Sequence, residues 1–201
     1  MQKVASKNRA SNQSELVVEN RRAKIIDAAI RQIATGGVDS VTFRQVAKLA
    51  SVPLGSTTYY FKSRHHLLQE AFKTHLSNST SRYSELRKKF DHTSKTQIID
   101  FIVELARSEI DDGTIILVDH ELFLFAARDP EVSDKFRGWQ QIVLSQIAAT
   151  LENVGVPHPF DAAHALLHLV RGFELDQMTG QAPDLARLRK RLSRNLIGDQ
   201  A

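Results

Sequence analysis

The stretch TFRQVAKLASVPLGSTTYYFKSR, residues 42–64, decides the fold of this chain. Its first four residues have the capping-box form Thr-x-x-Gln, in which the threonine hydroxyl accepts a hydrogen bond from an amide three residues on and the glutamine reaches back. A short helix over about 43–50 should follow. Pro53 should separate it from a second short helix over about 54–60, because proline is tolerated only in the first turn of a helix. Two short helices joined by a tight turn predict a helix-turn-helix, whose second helix can enter the major groove of DNA.

Further helices are predicted on both sides of this motif. Upstream, apolar residues recur at helical spacing from Glu19 to Ile33, and Gly36-Gly37 ends that run. Downstream, Ser63 is a good N-cap for a helix that reaches the 80s, and five further helices are predicted at about 94–110, 114–127, 130–153, 160–179 and 184–197. No segment shows the sustained alternation of a strand, so the sequence predicts an all-α fold of about nine helices.

The positive charge is concentrated in the first third of the chain. The 201 residues include 27 Lys and Arg and 23 Asp and Glu, a formal charge of +4. Residues 1–70 hold eleven basic and five acidic side chains, whereas residues 71–201 hold sixteen and eighteen. This asymmetry indicates that the N-terminal third meets a polyanion. The alternative is a basic tail that only improves solubility.

Composition excludes several classes of protein. The absence of cysteine rules out disulfides, thiolate metal sites and cysteine nucleophiles. No apolar run approaches the roughly 20 residues of a membrane span, and residues 1–20 lack the apolar stretch of a signal peptide. We therefore expect a cytoplasmic protein without membrane contact. Residues 1–18 are polar and unpatterned, and we expect them to form a flexible basic arm.

The sequence resembles the TetR family of bacterial transcriptional regulators. The matching residues are Arg22-Ala-Lys-Ile-Ile-Asp-Ala-Ala29, Gly37-Val-Asp-Ser-Val-Thr-Phe-Arg-Gln-Val-Ala-Lys-Leu-Ala50, Val52-Pro-Leu-Gly-Ser-Thr-Thr-Tyr-Tyr-Phe-Lys-Ser-Arg64 and Leu67-Leu68. The resemblance is close over about residues 19–79 and extends only to the helix pattern thereafter. It implies a DNA-binding domain at 19–79, with the helix-turn-helix at about 42–61, and an effector-binding and dimerisation domain at 80–201.

The candidate DNA contacts lie within the helix-turn-helix. Gly55 lets the backbone approach DNA, and the hydroxyls that follow it can reach base edges or phosphates. These candidate readers are Ser56, Thr57, Thr58 and Tyr59. By the family's pattern the phosphate contacts are Thr42, Tyr60, Lys62 and the helix N-terminus at Ser63, with Arg44 and Arg64 close enough to assist. The family's usual residues are replaced at Ser51, Pro53-Leu54 and Thr58, so the resemblance implies no base preference.

The helix predicted at 114–127 is apolar on every face and should be buried. It contains Asp119, His120 and Glu121, and at least one of these groups needs a buried partner or a polar cavity. His120 is the first candidate to line an effector cavity. The alternative is that these groups pair with arginines such as Arg107, Arg128 or Arg171. The candidate cavity residues are Phe72, His75, Phe101, His120, Trp139 and His168.

The last two helices carry apolar faces. In the family these helices meet their copies from a second subunit in a four-helix bundle, which implies a homodimer. The candidate interface residues are Leu166, Val170, Phe173, Leu188 and Leu192. The alternative is that both faces are used within one subunit.

These features predict a homodimeric transcriptional repressor, not an enzyme, that binds palindromic double-stranded operator DNA and responds to a small-molecule effector. Neither a cofactor nor a metal is expected. A helical enzyme with a metal at His120, Glu121 and the His164/His168 pair is one alternative, although no phosphate loop, nucleophile elbow or HExxH motif occurs in the sequence. A DNA-binding regulator that answers to a protein partner is the other.

Overall fold

The computed structural model describes residues 20–180 and 182–198. Within those ranges it contains nine α-helices and no strand, which confirms the predicted all-α fold. The helices are α1 (20–36), α2 (Phe43–Leu49), α3 (Leu54–Tyr60), α4 (Arg64–Arg87), α5 (Lys95–Asp111), α6 (Gly113–Ala126), α7 (Pro130–Asn153), α8 (Pro159–Met178) and α9 (Leu185–Ile197). A single 3-10 turn, Val38–Ser40, lies between α1 and α2. The arm expected at residues 1–18 lies outside the described residues.

Side-chain caps begin three helices where the sequence predicts them. The Thr42 hydroxyl accepts from the Gln45 amide at 3.2 Å and donates to Gln45 Oε1 at 2.9 Å, at the start of α2. Ser63 Oγ accepts from the amide three residues on at 3.0 Å, at the start of α4. Ser94 Oγ makes the same bond at 3.3 Å, at the start of α5. Each cap satisfies an amide that the first helical turn leaves without a partner.

The chain divides into two compact units, Met1–His75 and Leu76–Ala201. In the first unit α2 packs against α3, and Ala47 is only 4% exposed, as the close approach of two helices requires. The buried core around this pair is apolar and comprises Ile25, Ile26, Ala29, Ile33, Val41, Val46, Phe61, Leu67 and Leu68.

The second unit is built around α8. This helix packs against α7 and α9, and α5 packs against α6 and α9. The centre of the unit consists of small and branched apolar residues, namely Ile99, Ala106, Leu144, Leu151, Ala163, Leu166, Leu188 and Leu192. None of the helices between residues 20 and 198 that the structure describes has the length and apolar character needed to cross a bilayer.

Helix α6 is less buried than its sequence predicts. Ile115, Val118 and Leu122 are at most 5% exposed, but Leu117 and Leu124 are 39% and 52% exposed. The expectation of burial on every face is therefore wrong. An apolar sequence raises the tendency of a helix to be buried, but the number of its neighbours decides how many faces are covered.

The turn between α2 and α3 holds Ser51 at a φ of 53°, in the left-handed region. A side chain with a Cβ destabilises the folded state by roughly 1–2 kcal/mol in that conformation, and glycine removes this cost. Glycine also raises the conformational entropy of the unfolded chain, which offsets part of the gain. We therefore expect Ser51→Gly to raise the free energy of unfolding by about 0.5 to 1 kcal/mol in urea titrations. Ser51→Ala keeps the Cβ and should change it by less than about 0.3 kcal/mol. Equal effects of the two substitutions would show that this turn is not strained.

Candidate functional site

The exposed face of α3 is the first candidate site. Tyr59 is 78% exposed, and Leu54, the first residue of the helix, is 48% exposed. Gly55 and Thr58 are exposed and Ser56 is half-buried. A Cβ built on Gly55 would meet no atom within 4 Å. The face therefore offers hydroxyls, an open stretch of backbone and an apolar side chain to a groove.

Thr57 does not belong to that face, and here the structure corrects the sequence-based set of readers. Its side chain is 0% exposed. Its hydroxyl donates to the Leu54 carbonyl at 2.7 Å, within the helix. A hydroxyl that is buried and already bonded cannot reach a base edge, so Thr57 has a packing role.

Polar and cationic side chains flank α3 in the sequence. The exposed ones among the candidate phosphate contacts are Thr42, Arg44, Lys62, Ser63 and Arg64. Tyr60 is half-buried and meets Tyr59 edge-on, with ring centroids 5.0 Å apart. Exposed cations and the amide groups of helix N-termini are the groups that bind phosphates. The segments around α3 can therefore hold a nucleic-acid backbone.

Arg64 has a structural role within the first unit. Its Nε donates to the Val41 carbonyl at 2.7 Å, and its Nη2 donates to the Val38 carbonyl. Asp39 lies 3.5 Å from the same guanidinium group. These contacts tie the start of α4 to the segment between α1 and α2. These bonds occupy Nε and Nη2 of an exposed side chain, and the expectation that Arg64 assists at DNA phosphates stays a prediction.

The second unit contains a cavity of about 150 Å³. Phe101 of α5 and Trp139 of α7, two of the candidate cavity residues, line it. Trp139 Nε1 donates to Thr80 Oγ1 at 3.0 Å, and Tyr83 meets Phe101 edge-on with centroids 5.3 Å apart. Aromatic walls with a few polar groups are typical of small-molecule sites.

Four other candidates do not line this cavity. Phe72 and His75 are 2% and 4% exposed and belong to the first unit. His120 Nδ1 lies 2.8 Å from the carbonyl oxygen one turn earlier in its own helix. His168 lies beside His164, with ring centroids 6.0 Å apart. Within the described ranges, no group of three metal-ligating side chains occurs. These four assignments are corrected, because spacing along a helix does not reveal which neighbour covers each face.

A charged end of the cavity was largely missed by sequence reasoning. Its members are Glu109 of α5, Asp119 of α6, and Arg171 and Glu174 of α8. Burial, reinforced by the charge of Glu109, raises the pKa of Glu174 to about 9. Burial, reinforced by the charge of Asp119, raises the pKa of Glu109 to about 7. Burial lowers the pKa of Arg171. The two glutamates are hydrogen-bonded to each other, so the pair holds a proton at neutral pH.

A signal for this charged end was present in the sequence. Glu174 directly follows Phe173 and lies one helical turn after Val170, within the apolar stretch of α8. An acid in such a position is costly unless it has a partner or lines a polar cavity. The same reasoning identified α6, but Asp119 rather than His120 is the residue that lines the cavity.

The expected dimer contacts are not on the surface of the second unit. Leu166, Phe173, Leu188 and Leu192 are each at most 6% exposed in the single chain, and Val170 lines the cavity. Residues buried inside one subunit cannot contact a second, so these four leucine and phenylalanine side chains are used internally, whereas the half-buried Val170 stays a predicted contact. The exposed apolar residues of α8 and α9 are Phe160, Leu175, Met178 and Ile197.

Two family models match the chain. The model described as bacterial regulatory proteins, tetR family, matches residues 25–71. The model described as tetracyclin repressor-like, C-terminal domain, matches residues 93–198. The first match covers the helix-turn-helix, and the second covers most of the unit that holds the cavity.

Individual proteins agree with these matches. The HTH-type transcriptional repressor KstR of Rhodococcus jostii (strain RHA1) is 36% identical over 64 residues, which are 32% of this chain and 30% of that repressor. The match thus spans less than a third of the curated relative. A TetR family member of known structure, SCO1917 from Streptomyces coelicolor A3, is 29% identical with a TM-score of 0.65, covering 88% of this chain and 98% of that one. The multidrug binding protein EbrR, in its complex with ethidium, is 29% identical with a TM-score of 0.66 and the same coverage, 88% and 98%.

We expect Arg64→Ala to lower the free energy of unfolding by about 1 to 2 kcal/mol, because the carbonyls of Val38 and Val41 lose the guanidinium group as a donor. Lys62→Ala, at an exposed position two residues earlier, is the matched control and should change it by less than about 0.5 kcal/mol. Denaturant titration followed by circular dichroism measures both. Wild-type stability of the Arg64 variant would mean that this guanidinium is free to contact DNA.

Proposed function

The chain belongs to the TetR family of bacterial regulatory proteins, and on that basis we propose that it is a repressor released from operator DNA by a small molecule that binds in the cavity. Among its relatives, KstR is a transcriptional repressor, and the multidrug binding protein EbrR has been crystallised with ethidium and with proflavin. The observation that carries the proposal is the presence in one chain of an exposed recognition helix and a cavity with a charged end.

DNA binding is assigned to residues 19–79. The hydroxyls of Ser56, Thr58 and Tyr59 read base edges in the major groove. Leu54 adds an exposed apolar side chain at the start of α3, which suits contact with a thymine methyl group. The phosphates on either side are held by Thr42, Arg44, Tyr60, Lys62 and Ser63. Phosphate contacts position a protein and base contacts specify its site, so the two sets respond differently to mutation.

A homodimer on a palindromic operator follows from the geometry of DNA. Two recognition helices enter successive major grooves only when they lie about 34–36 Å apart. Dimerisation and effector binding are assigned to residues 80–201. Leu175 and Met178, which are 50% and 43% exposed on α8, support a second copy there, because covering them removes apolar surface from water.

The alternative functions have less support. An enzyme with a metal at His120, Glu121 and the His164/His168 pair is disfavoured because the described residues contain no group of three side chains that could hold a metal ion. A regulator that answers to a protein partner needs no cavity with a charged end. The proposed protein is therefore a regulator without enzymatic activity, and it works in the cytoplasm, where operator DNA is found.

We expect Ser56→Ala and Tyr59→Phe to change base preference at localised operator positions, at a cost of about 1–3 kcal/mol each. Lys62→Ala should instead weaken binding to all sequences alike and reduce the slope of log affinity against log salt by about 0.9. Selections from randomised operators at several salt concentrations measure both effects. Lys89→Ala removes the same charge from an exposed position of the second unit and should leave the slope unchanged. Identical preferences in wild type and both hydroxyl variants would contradict the role of α3.

A compound that releases the operator should bind more weakly to the operator-bound protein than to the free protein. The factor should equal the one by which the compound weakens DNA binding, about 5- to 150-fold. Val143 lines the cavity, so Val143→Phe should fill it and remove the response, while operator affinity stays within about twofold. Ala149→Phe adds the same ring at an exposed position of α7 and is the control. Paired titrations with hits from a release screen measure the coupling. Equal affinity for free and operator-bound protein would refute it.

A further inference from the structure

The cavity of the second unit is rich in hydrogen-bond acceptors. Carboxyl groups from three helices line it, those of Glu109, Asp119 and Glu174. Arg171 also lines the cavity. Its positive charge and that of Arg82 in α4 both lower the pKa of Glu109. With all of these groups ionised, three negative charges would face two positive ones.

A proton on the glutamate pair removes that imbalance. Glu109 and Glu174 are hydrogen-bonded to each other, and two carboxyl groups form such a bond only when one of them is protonated. Glu174 is 6% exposed, so water does not solvate an additional negative charge there. The guanidinium carbon of Arg171 lies 4.3 Å from the ring centroid of Phe123, so this cation is also held by an aromatic face. A positive charge that replaced the shared proton would leave no uncompensated buried charge.

A further acceptor lies on the cavity wall. His92 lines the cavity, and its Nε2 is 3.0 Å from the carbonyl oxygen of Arg87. A carbonyl oxygen only accepts, so Nε2 carries a proton, and in the neutral imidazole Nδ1 is then an acceptor. That Nδ1 is buried and has no hydrogen-bond partner among the residues that the structure describes. A ligand with an N–H group would supply the missing donor.

We propose that the effector is a small organic cation with N–H donors and an aromatic or apolar body of about one ring. Its charged group binds Glu174 and Glu109 in place of the shared proton, and its body packs against Phe101 and Trp139. A cavity of about 150 Å³ is the size that accepts a molecule such as benzene. This inference rests on the proposed role of the cavity as the effector site.

Replacing a proton with a cation makes binding depend on pH. Burial raises the pKa of both Glu174 and Glu109. At lower pH the glutamate pair therefore holds a proton in a larger fraction of the protein molecules, and the ligand has to displace it. The other charged or titratable groups in or beside the cavity are Arg82, Tyr83, Arg87, His92, Asp119 and Arg171. Affinity for a cation that does not itself titrate therefore rises with pH, by up to about tenfold per pH unit while one proton is displaced.

Three probes of nearly equal shape test the proposal, benzamidinium, benzamide and benzoate, which are cationic, neutral and anionic. Trp139 is the single tryptophan of the sequence and lines the cavity, so its fluorescence reports binding to the full chain, and calorimetry gives the affinities. At about pH 8 we expect benzamidinium to bind at least about tenfold more tightly than benzamide, and benzoate to bind most weakly. Between about pH 6 and about pH 9 only the affinity of benzamidinium should rise.

Glu109→Gln and Glu174→Gln keep the size of the side chain and remove its charge. In both variants the preference for benzamidinium over benzamide should fall to less than about threefold and lose its pH dependence. Glu152→Gln, at an exposed position of α7 outside the cavity, should keep the wild-type preference.

Two kinds of result would overturn the proposal, and only the second would also contradict the proposed effector role of the cavity. If benzamide or benzoate binds as tightly as benzamidinium, or if both glutamine variants keep the preference, the cavity is still a ligand site but does not select cations. If none of the three probes changes the fluorescence of Trp139, the cavity does not bind ligands of this size, and the proposed effector role fails with the inference.

Discussion

Helices α2 and α3 have seven residues each, fewer than the roughly 12–15 that a helix needs for even marginal stability on its own. Packing in the first unit therefore has to hold them in place, and Ala47, Thr57 and Phe61 are each at most 4% exposed. The hydroxyl of Thr57 bonds inside α3 rather than outside it. Because the inward residues hold the recognition helix, outward residues such as Tyr59 have little structural role. The operator preference can then change without a change of fold.

The second unit combines an apolar core with a charged cavity, and this combination affects stability. The pKa of Glu174 is raised from its ordinary value of 4.5 to about 9. A carboxyl whose pKa is raised by folding contributes stability below its unfolded pKa and loses that contribution as pH rises through the folded pKa. The second unit should therefore become less stable between about pH 4.5 and about pH 9. A cation bound beside the pair offsets that loss, so ligand affinity and the stability of this unit have a common origin.

Features with local causes were predictable from the sequence, and features that depend on packing were not. The Thr42 cap involves only its own first turn, and it lies where the sequence places it. In contrast, α8 packs against α5, α6, α7 and α9, so it buries more faces than an amphipathic surface helix. Leu166 and Phe173 are consequently in the core instead of at an interface. In α6 a single 100° step separates Asp119, which lines the cavity, from His120, which bonds to its own backbone, and no local signal decides between them.

The balance of charge also limits which cations the cavity accepts. Removing a proton costs about 1.4 kcal/mol for each unit by which the pKa of the carboxyl exceeds the ambient pH. The ligand has to recover that cost from its N–H bonds and from contact with Phe101 and Trp139. An inorganic ion brings charge but fills none of the aromatic wall, and a neutral ring fills the wall but leaves the proton in place. A ligand shifts a conformational equilibrium only by its difference in affinity for the two states. The carboxyl pair and the aromatic wall therefore set the selectivity for the effector, and its effect on DNA binding depends on how much these contacts differ between the two states.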